Sequence, residues 1–258
     1  MTKISANKRG YGWQPDVPDQ RDHLYAAPVI YLAKLPAKSD LRPYCPPVYD
    51  QGQLGSCTAN AIGASIQFER RKQKLKPDFA PSRLFIYYNE RVMEHTVKSD
   101  AGAQIRDGIK SVAKIGDCPE SEWPYIIAQF TDKPNTSCFK DALKYQAVQY
   151  ARVPQILNQM KGCLASGYPF VFGFSVYTEF ENDQVAKTGV VNMPGPKEKL
   201  LGGHAVMAVG YDDTIQRFIV RNSWGNKWGI KGYFTMPYAY LTDSNLADDF
   251  WTIRLVEA

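Results

Sequence analysis

Apolar positions recur at helical spacing through most of the first half of this chain and at strand spacing through the second. Thr58–Lys74 carries Ala61, Ala64 and Phe68 on one stripe, with Ile62 and Ile66 beside it. Arg70, Arg71, Lys72 and Lys74 load the far end with positive charge, where the helix dipole favours it. Ser82–His95 predicts a second helix with Leu84, Phe85, Tyr88 and Val92 inward. Ala103–Ile115 predicts a third through Ile105, Ile109, Val112 and Ala113, and Pro154–Gly167 a fourth through Ile156, Leu157, Met160 and Leu164. The character then changes. Tyr168–Tyr177, His204–Tyr211, Arg217–Arg221, Gly232–Met236 and Phe250–Leu255 are strand-like and separated by Gly, Asp, Asn and Pro. Helices followed by strands predict an α+β fold with two lobes rather than alternating βαβ units.

Elsewhere the pattern is irregular. Pro36, Pro43, Pro46 and Pro47 make Leu35–Asp50 extended chain, and residues 117–137 are loop-like. Residues 1–34 have little periodicity, yet Tyr11, Trp13 and Tyr25 are costly to leave in water, so this segment is expected to lie along a surface.

Composition narrows the classes. At 258 residues and 44% hydrophobic, the chain can bury a sizeable core. No stretch is long and apolar enough for a membrane span. Its 31 basic and 26 acidic residues are spread along the chain, and no arginine-rich arm or nucleic-acid motif accompanies them. Neither nucleic acid nor membrane is expected as a partner. Basic residues in Met1–Arg9 precede no apolar run, so a secretory signal peptide is not expected. A cytoplasmic site is then the default, with non-classical export left open. Five cysteines at wide spacing, without a CxxC pair, make a structural zinc site unexpected.

Three stretches carry candidate chemistry. Gln51-Gly52-Gln53-Leu54-Gly55-Ser56-Cys57 delivers one cysteine to the start of the first helix, at its positive end, where a thiol is expected to ionise below its free pKa of about 8.5. Among three histidines, His204 follows Gly202 and Gly203 at the start of an apolar strand, where glycines admit close approach by another chain. Asn222 follows another strand, within Arg221-Asn222-Ser223-Trp224-Gly225-Asn226-Lys227-Trp228-Gly229. Its amide can fix which imidazole nitrogen faces a thiol. Cysteine, histidine 147 residues later and asparagine 18 beyond that supply nucleophile, base and orienting group.

On these motifs, with Gly203-His204-Ala205-Val206, the chain resembles the papain family of cysteine peptidases over about residues 35–258. The resemblance implies a papain-like fold: a helical lobe at about 50–150, an antiparallel, barrel-like β lobe at about 151–258, and a cleft between them. It implies Cys57 as nucleophile, His204 as general acid–base, Asn222 orienting His204, and Gln51 joining the Cys57 N–H in an oxyanion hole. Trp224 is similar to the tryptophan that covers the Asn–His bond. Gly102 and Gly203 fall where an extended polypeptide substrate is held, and Asp248 near the floor of the pocket for the second residue before the cut. No cofactor or metal is implied, and a monomer is expected.

The chain also departs from the family. Leu54 and Thr58 stand where an earlier cysteine and a tryptophan are usual, so the disulfide made by that cysteine cannot form. Any pairing of Cys45, Cys118, Cys138 and Cys163 stays open. Residues 1–34 cannot be a long helical pro-region; they are expected to act as a short pro-segment or as a strap on one lobe. Two other classes fit the same residues: an N-terminally occluded binding or regulatory protein, and a Cys–His–Asn acyltransferase or amidase.

Overall fold

The computed structural model describes residues 10–257. Met1–Arg9, on which the signal-peptide expectation rests, lies outside them. The elements run β1 (Trp13–Gln14), α1 (Val29–Ala33), β2 (Lys38–Asp40), α2 (Cys57–Lys72), α3 (Arg83–Met93), β3 (Ala103–Gln104) and α4 (Ile105–Lys114). They continue with α5 (Thr136–Ala142), β4 (Ala147–Arg152), α6 (Leu157–Ala165), β5 (Phe170–Tyr177), α7 (Asp183–Thr188), β6 (Leu200–Asp212), β7 (Arg217–Arg221), β8 (Tyr233–Pro237), α8 (Tyr238–Thr242) and β9 (Ala247–Val256).

The fold is α+β with two lobes. One is built on α2, α3 and α4; the other is an antiparallel sheet in the order β4-β9-β5-β6-β7-β8, with β2 also paired to β6. Phe170, Val171, Phe172, Phe174 and Val176 of β5 are fully buried, as suits a strand hydrogen-bonded on both edges and covered on both faces. Helix α2 lies where the lobes meet, packing on β6 and β9 as well as on α3 and α4. Every residue from Cys57 to Arg70 is consequently buried, rather than a single stripe. Arg70 is accommodated because its guanidinium lies over Phe79 at 4.3 Å and bonds the Pro77 carbonyl at 3.0 Å.

Several local expectations change. Helix α3 buries Leu84, Phe85, Ile86 and Tyr87, while Val92 faces solvent. Its final turn can turn Val92 outward because Arg91 is held inside by the Tyr87 and Val97 carbonyls. Ile156 is also exposed, because α6 begins only after it, at Leu157. His204 sits inside β6, which starts four residues earlier than the apolar run, at Leu200. The loop-like region ends in the short helix α5, capped by the Asn135 side chain on the Cys138 N–H at 2.9 Å.

Candidate active site

Cys57 opens α2 and His204 stands in β6, so the candidate thiol and imidazole come from opposite lobes. Ala205, the residue after His204, gives a backbone hydrogen bond to the Cys57 sulfur. The His204 Nε2 meets the Asn222 Oδ1 at 2.9 Å, and that oxygen also accepts from the Ser223 N–H at 2.8 Å. Two contacts on one oxygen hold the amide with its acceptor toward the ring. Trp224 stacks on the imidazole at 5.1 Å between centroids and 29° between planes, with Phe180 edge-on to Trp224 at 5.2 Å. His204 and Asn222 are both buried, so this bond is shielded from water.

Gln51 is held with equal care. Its Oε1 accepts from the Ser223 hydroxyl at 2.6 Å, and its Nε2 donates to the Leu54 carbonyl at 2.9 Å. The second amide hydrogen reaches the carbonyl of Gly10 at 3.0 Å. A carbonyl oxygen from the chain's own N-terminal segment therefore rests on the Gln51 amide. Tyr125 supports the same loop: its hydroxyl donates to the Gln51 carbonyl at 3.0 Å and meets the Ser56 hydroxyl. The sequence motifs do not single out Ser223 or Tyr125, although Ser223 follows Asn222 directly.

The N-terminal segment runs through the cleft, not merely along a surface. Tyr11 packs against His204 and Trp224 at 6.0 and 6.3 Å, and its hydroxyl donates to Glu181. Gly12 gives a backbone hydrogen bond to the Cys57 sulfur, and its carbonyl accepts from the Ala103 N–H at 2.7 Å. Strand β1 pairs in parallel with β3. Gly102 has φ +76°, and a Cβ there would come within 2.0 Å of the Gly12 oxygen, so only glycine admits the strap.

Trp13 is the anchor, 8% exposed, in a pocket whose floor is Gly173. A Cβ on Gly173 would lie 1.9 Å from the indole, and one on Gly203 2.6 Å from the Trp13 carbonyl oxygen. The indole Nε1 donates to Asp249 Oδ2 at 3.0 Å, an oxygen that also takes the Asp16 N–H at 2.8 Å. The acidic group under this pocket is thus Asp249. Asp248, the residue expected there, has a half-exposed side chain paired with Arg152 at 3.1 Å. The reason is local. Asp249 takes φ +60° and the β5–β9 register shifts between Val171 and Gly173, so the side-chain alternation slips by one residue.

Behind Trp13 a buried polar cluster fastens the strap. Asp16 accepts from the Arg106 N–H and the Trp251 indole, each at 3.0 Å. Asp22 forms a buried ion pair with Arg106, and Arg152 bonds Asp249 at 3.0 Å. Burial raises Asp249 to about 7 with Asp16 adding to the rise, and burial raises Asp16 as well.

The strap changes the thiol. A helix N-terminus favours a thiolate, yet burial pushes the Cys57 thiol up to about 11, against hydrogen bonds from Ala205, Gly12 and Thr58. Desolvation outweighs these dipoles because the sulfur has no exposed surface. Among the described residues no group of three or more His, Cys, Asp and Glu could hold a metal ion, and no helix is long and apolar enough to cross a membrane.

Comparison with known proteins agrees with this geometry. The model of the papain family cysteine proteases matches residues 35–250. An uncharacterised peptidase C1-like protein of Acanthamoeba polyphaga mimivirus is 44% identical over 98% of this chain and 89% of its own length. The crystal structure of xylellain, a cysteine protease from Xylella fastidiosa, superposes with a TM-score of 0.90 at 48% identity, covering 100% of both chains. The procathepsin B S9 of Trypanosoma congolense shares the fold at a TM-score of 0.77 and 19% identity, over 98% of this chain and 88% of its own.

Proposed function

The chain belongs to the papain family of cysteine proteases, and from that premise we propose that it hydrolyses peptide bonds through a thioester on Cys57, in a cleft that its own residues 10–25 hold closed. Once the strap leaves, water regains the Cys57 sulfur and the thiolate is favoured by the α2 N-terminus and the imidazolium of His204. The thiolate attacks a substrate carbonyl. The oxyanion forms against the Gln51 amide and the Cys57 N–H, each such donor being worth about 10²–10³ in rate. His204 then protonates the leaving amine and, after it departs, activates water to hydrolyse the thioester. Asn222 keeps the imidazole aimed, and Trp224 keeps water from the bond between them.

The observation that carries this reading is the Gly10 carbonyl resting on Gln51 Nε2 at 3.0 Å. It puts an acyl oxygen on the donor where an oxyanion is to be held. The strap supports the second half of the proposal. It covers Cys57 and His204, fills the pocket above Asp249, and lies on Gly102 where an extended substrate would bind. One structural relative is itself a proform.

The pocket filled by Trp13 is the proposed site for the second residue before the cut. Asp249 at its base favours a side chain that is aromatic with a donor, or basic. A fluorogenic series varying that residue tests the whole proposal. Turnover by the 35–258 chain above that of the full chain, preference for Arg over Leu, and no turnover by Cys57→Ser are expected. A truncated chain that folds and is no more active than the full one overturns the strap; equal use of Leu and Arg overturns the pocket.

A further inference from the structure

Two thiols lie together in the helical lobe, away from the cleft. Cys118 follows α4, and Cys138 sits in the first turn of α5. With Phe85 and Ala142 they form a small buried cluster separate from the main core. Both are free and fully buried. The two cysteines pack together in this cluster, and the Cys138 thiol donates to the Glu122 carbonyl at 3.8 Å. Cys45 and Cys163, by contrast, each turn to a carbonyl of their own segment, Leu41 at 3.6 Å and Tyr168 at 3.5 Å. Two thiols packed in one small cluster are placed to reach a bond of about 2 Å when α5 shifts.

The segment between them, residues 119–137, is exposed or half-buried apart from Pro134. It carries Tyr125, which supports Gln51 and Ser56 and is itself capped by the Arg83 guanidinium at 3.9 Å from its ring. A covalent link between Cys118 and Cys138 ties off the base of the loop that braces one wall of the cleft.

We propose that Cys118 and Cys138 are a latent disulfide, closed by a small disulfide oxidant of the glutathione type to fix the Tyr125 loop. While α5 is seated, burial pushes both thiols up and neither attacks. Helix α5 has seven residues and one side-chain cap, so it can lift without the main core. Cys138 then loses its proton to water and attacks the oxidant, forming a mixed disulfide and releasing one glutathione thiolate. The Cys118 thiol displaces the second glutathione, its proton passing through water to the departing glutathione sulfur, and the bond closes. Two protein thiols are oxidised, one glutathione disulfide is reduced to two thiols, and no other reactant is needed.

The test uses the full chain carrying Cys57→Ser, so that the cleft nucleophile does not consume oxidant. Native protein is incubated with oxidised glutathione and mapped without reduction by mass spectrometry. Expected are one linked peptide pair containing Cys118 and Cys138, loss of two thiols, and a melting temperature raised by roughly 5–10 °C, as a closed loop of this length implies. Dithiothreitol reverses all three, and adding Cys138→Ser abolishes the link and the rise. Stable glutathione adducts on either cysteine without a link, no reaction at either, or a link that leaves the melting temperature unchanged overturns the proposal.

Discussion

Replacing Trp13 by alanine removes the strap's largest anchor while leaving the two lobes intact. A buried tryptophan covers roughly 150–250 Å². At about 25 cal/mol per Å², that burial is worth about 4–6 kcal/mol. Water entering the vacated pocket returns part of this, because Asp249 at its base is polar and pairs with Arg152 at 3.0 Å. A net loss of about 2–3 kcal/mol shifts the ratio of closed to open strap by about 30–150-fold. Alkylation of Cys57 by iodoacetamide, followed at the peptide level, reads that ratio, since the sulfur is fully covered when the strap is seated. The Trp13→Ala chain should label faster by that factor. Gln14→Ala, which loses only one 3.3 Å contact to the Ala101 carbonyl at an exposed position, should label like the parent. A Trp13→Ala chain that keeps its fold and labels at the parental rate refutes the strap.

Three further outcomes follow from other contacts. Asp249 has its carboxyl raised from 3.8 to about 7, so it holds the proton more strongly in the strapped chain than in the unfolded one. Its stability contribution is therefore complete below about pH 4 and lost as pH rises through about 7; melting temperatures should show Asp249→Asn gaining on the parent across that window, and a gain in the opposite direction counts against burial as the cause. Ser223→Ala frees the Gln51 amide from its 2.6 Å bond and should lower kcat by up to about tenfold with KM little changed, a split that steady-state kinetics on the strap-free chain resolves. Asp22→Ala leaves Arg106 buried without its ion pair and should cost about 3–5 kcal/mol in denaturant unfolding, whereas Asp19→Ala, facing the exposed Arg21, should leave the unfolding midpoint close to that of the parent.

How much was legible beforehand depends on how local the signal is. Cys57, His204, Asn222 and Gln51 each stand in short local motifs, and the structure gathers them with Trp224, Gly102 and Gly203 around residues 10–13. Pocket chemistry was less legible. Asp248 and Asp249 are adjacent, and which of them faces inward is decided by a left-handed φ and a register shift that no periodicity records. The strap was half legible. Tyr11, Trp13 and Tyr25 demanded cover, but the pocket that covers Trp13 is made by Gly173 and Gly203, more than 150 residues away in the chain. The apolar stripe of α3 does not foretell the exposure of Val92, because a helix packed on two sides buries more than one stripe, and polar residues such as Glu90 and Arg91 go inside when their partners are there. Strand β4 escaped notice because Val148 and Gln149 are exposed on a sheet edge, and such strands carry little apolar alternation.

The pairing of Cys57 with His204 is tested most directly by the pH profile of Cys57 alkylation in the Trp13→Ala chain, with and without His204→Ala. Rapid labelling already at about pH 5–6, lost in the double variant, is the profile of a thiolate held by an imidazolium. Labelling that rises only near pH 8.5 in both chains is that of an ordinary thiol at about its free pKa, and would contradict Cys57 and His204 as nucleophile and base.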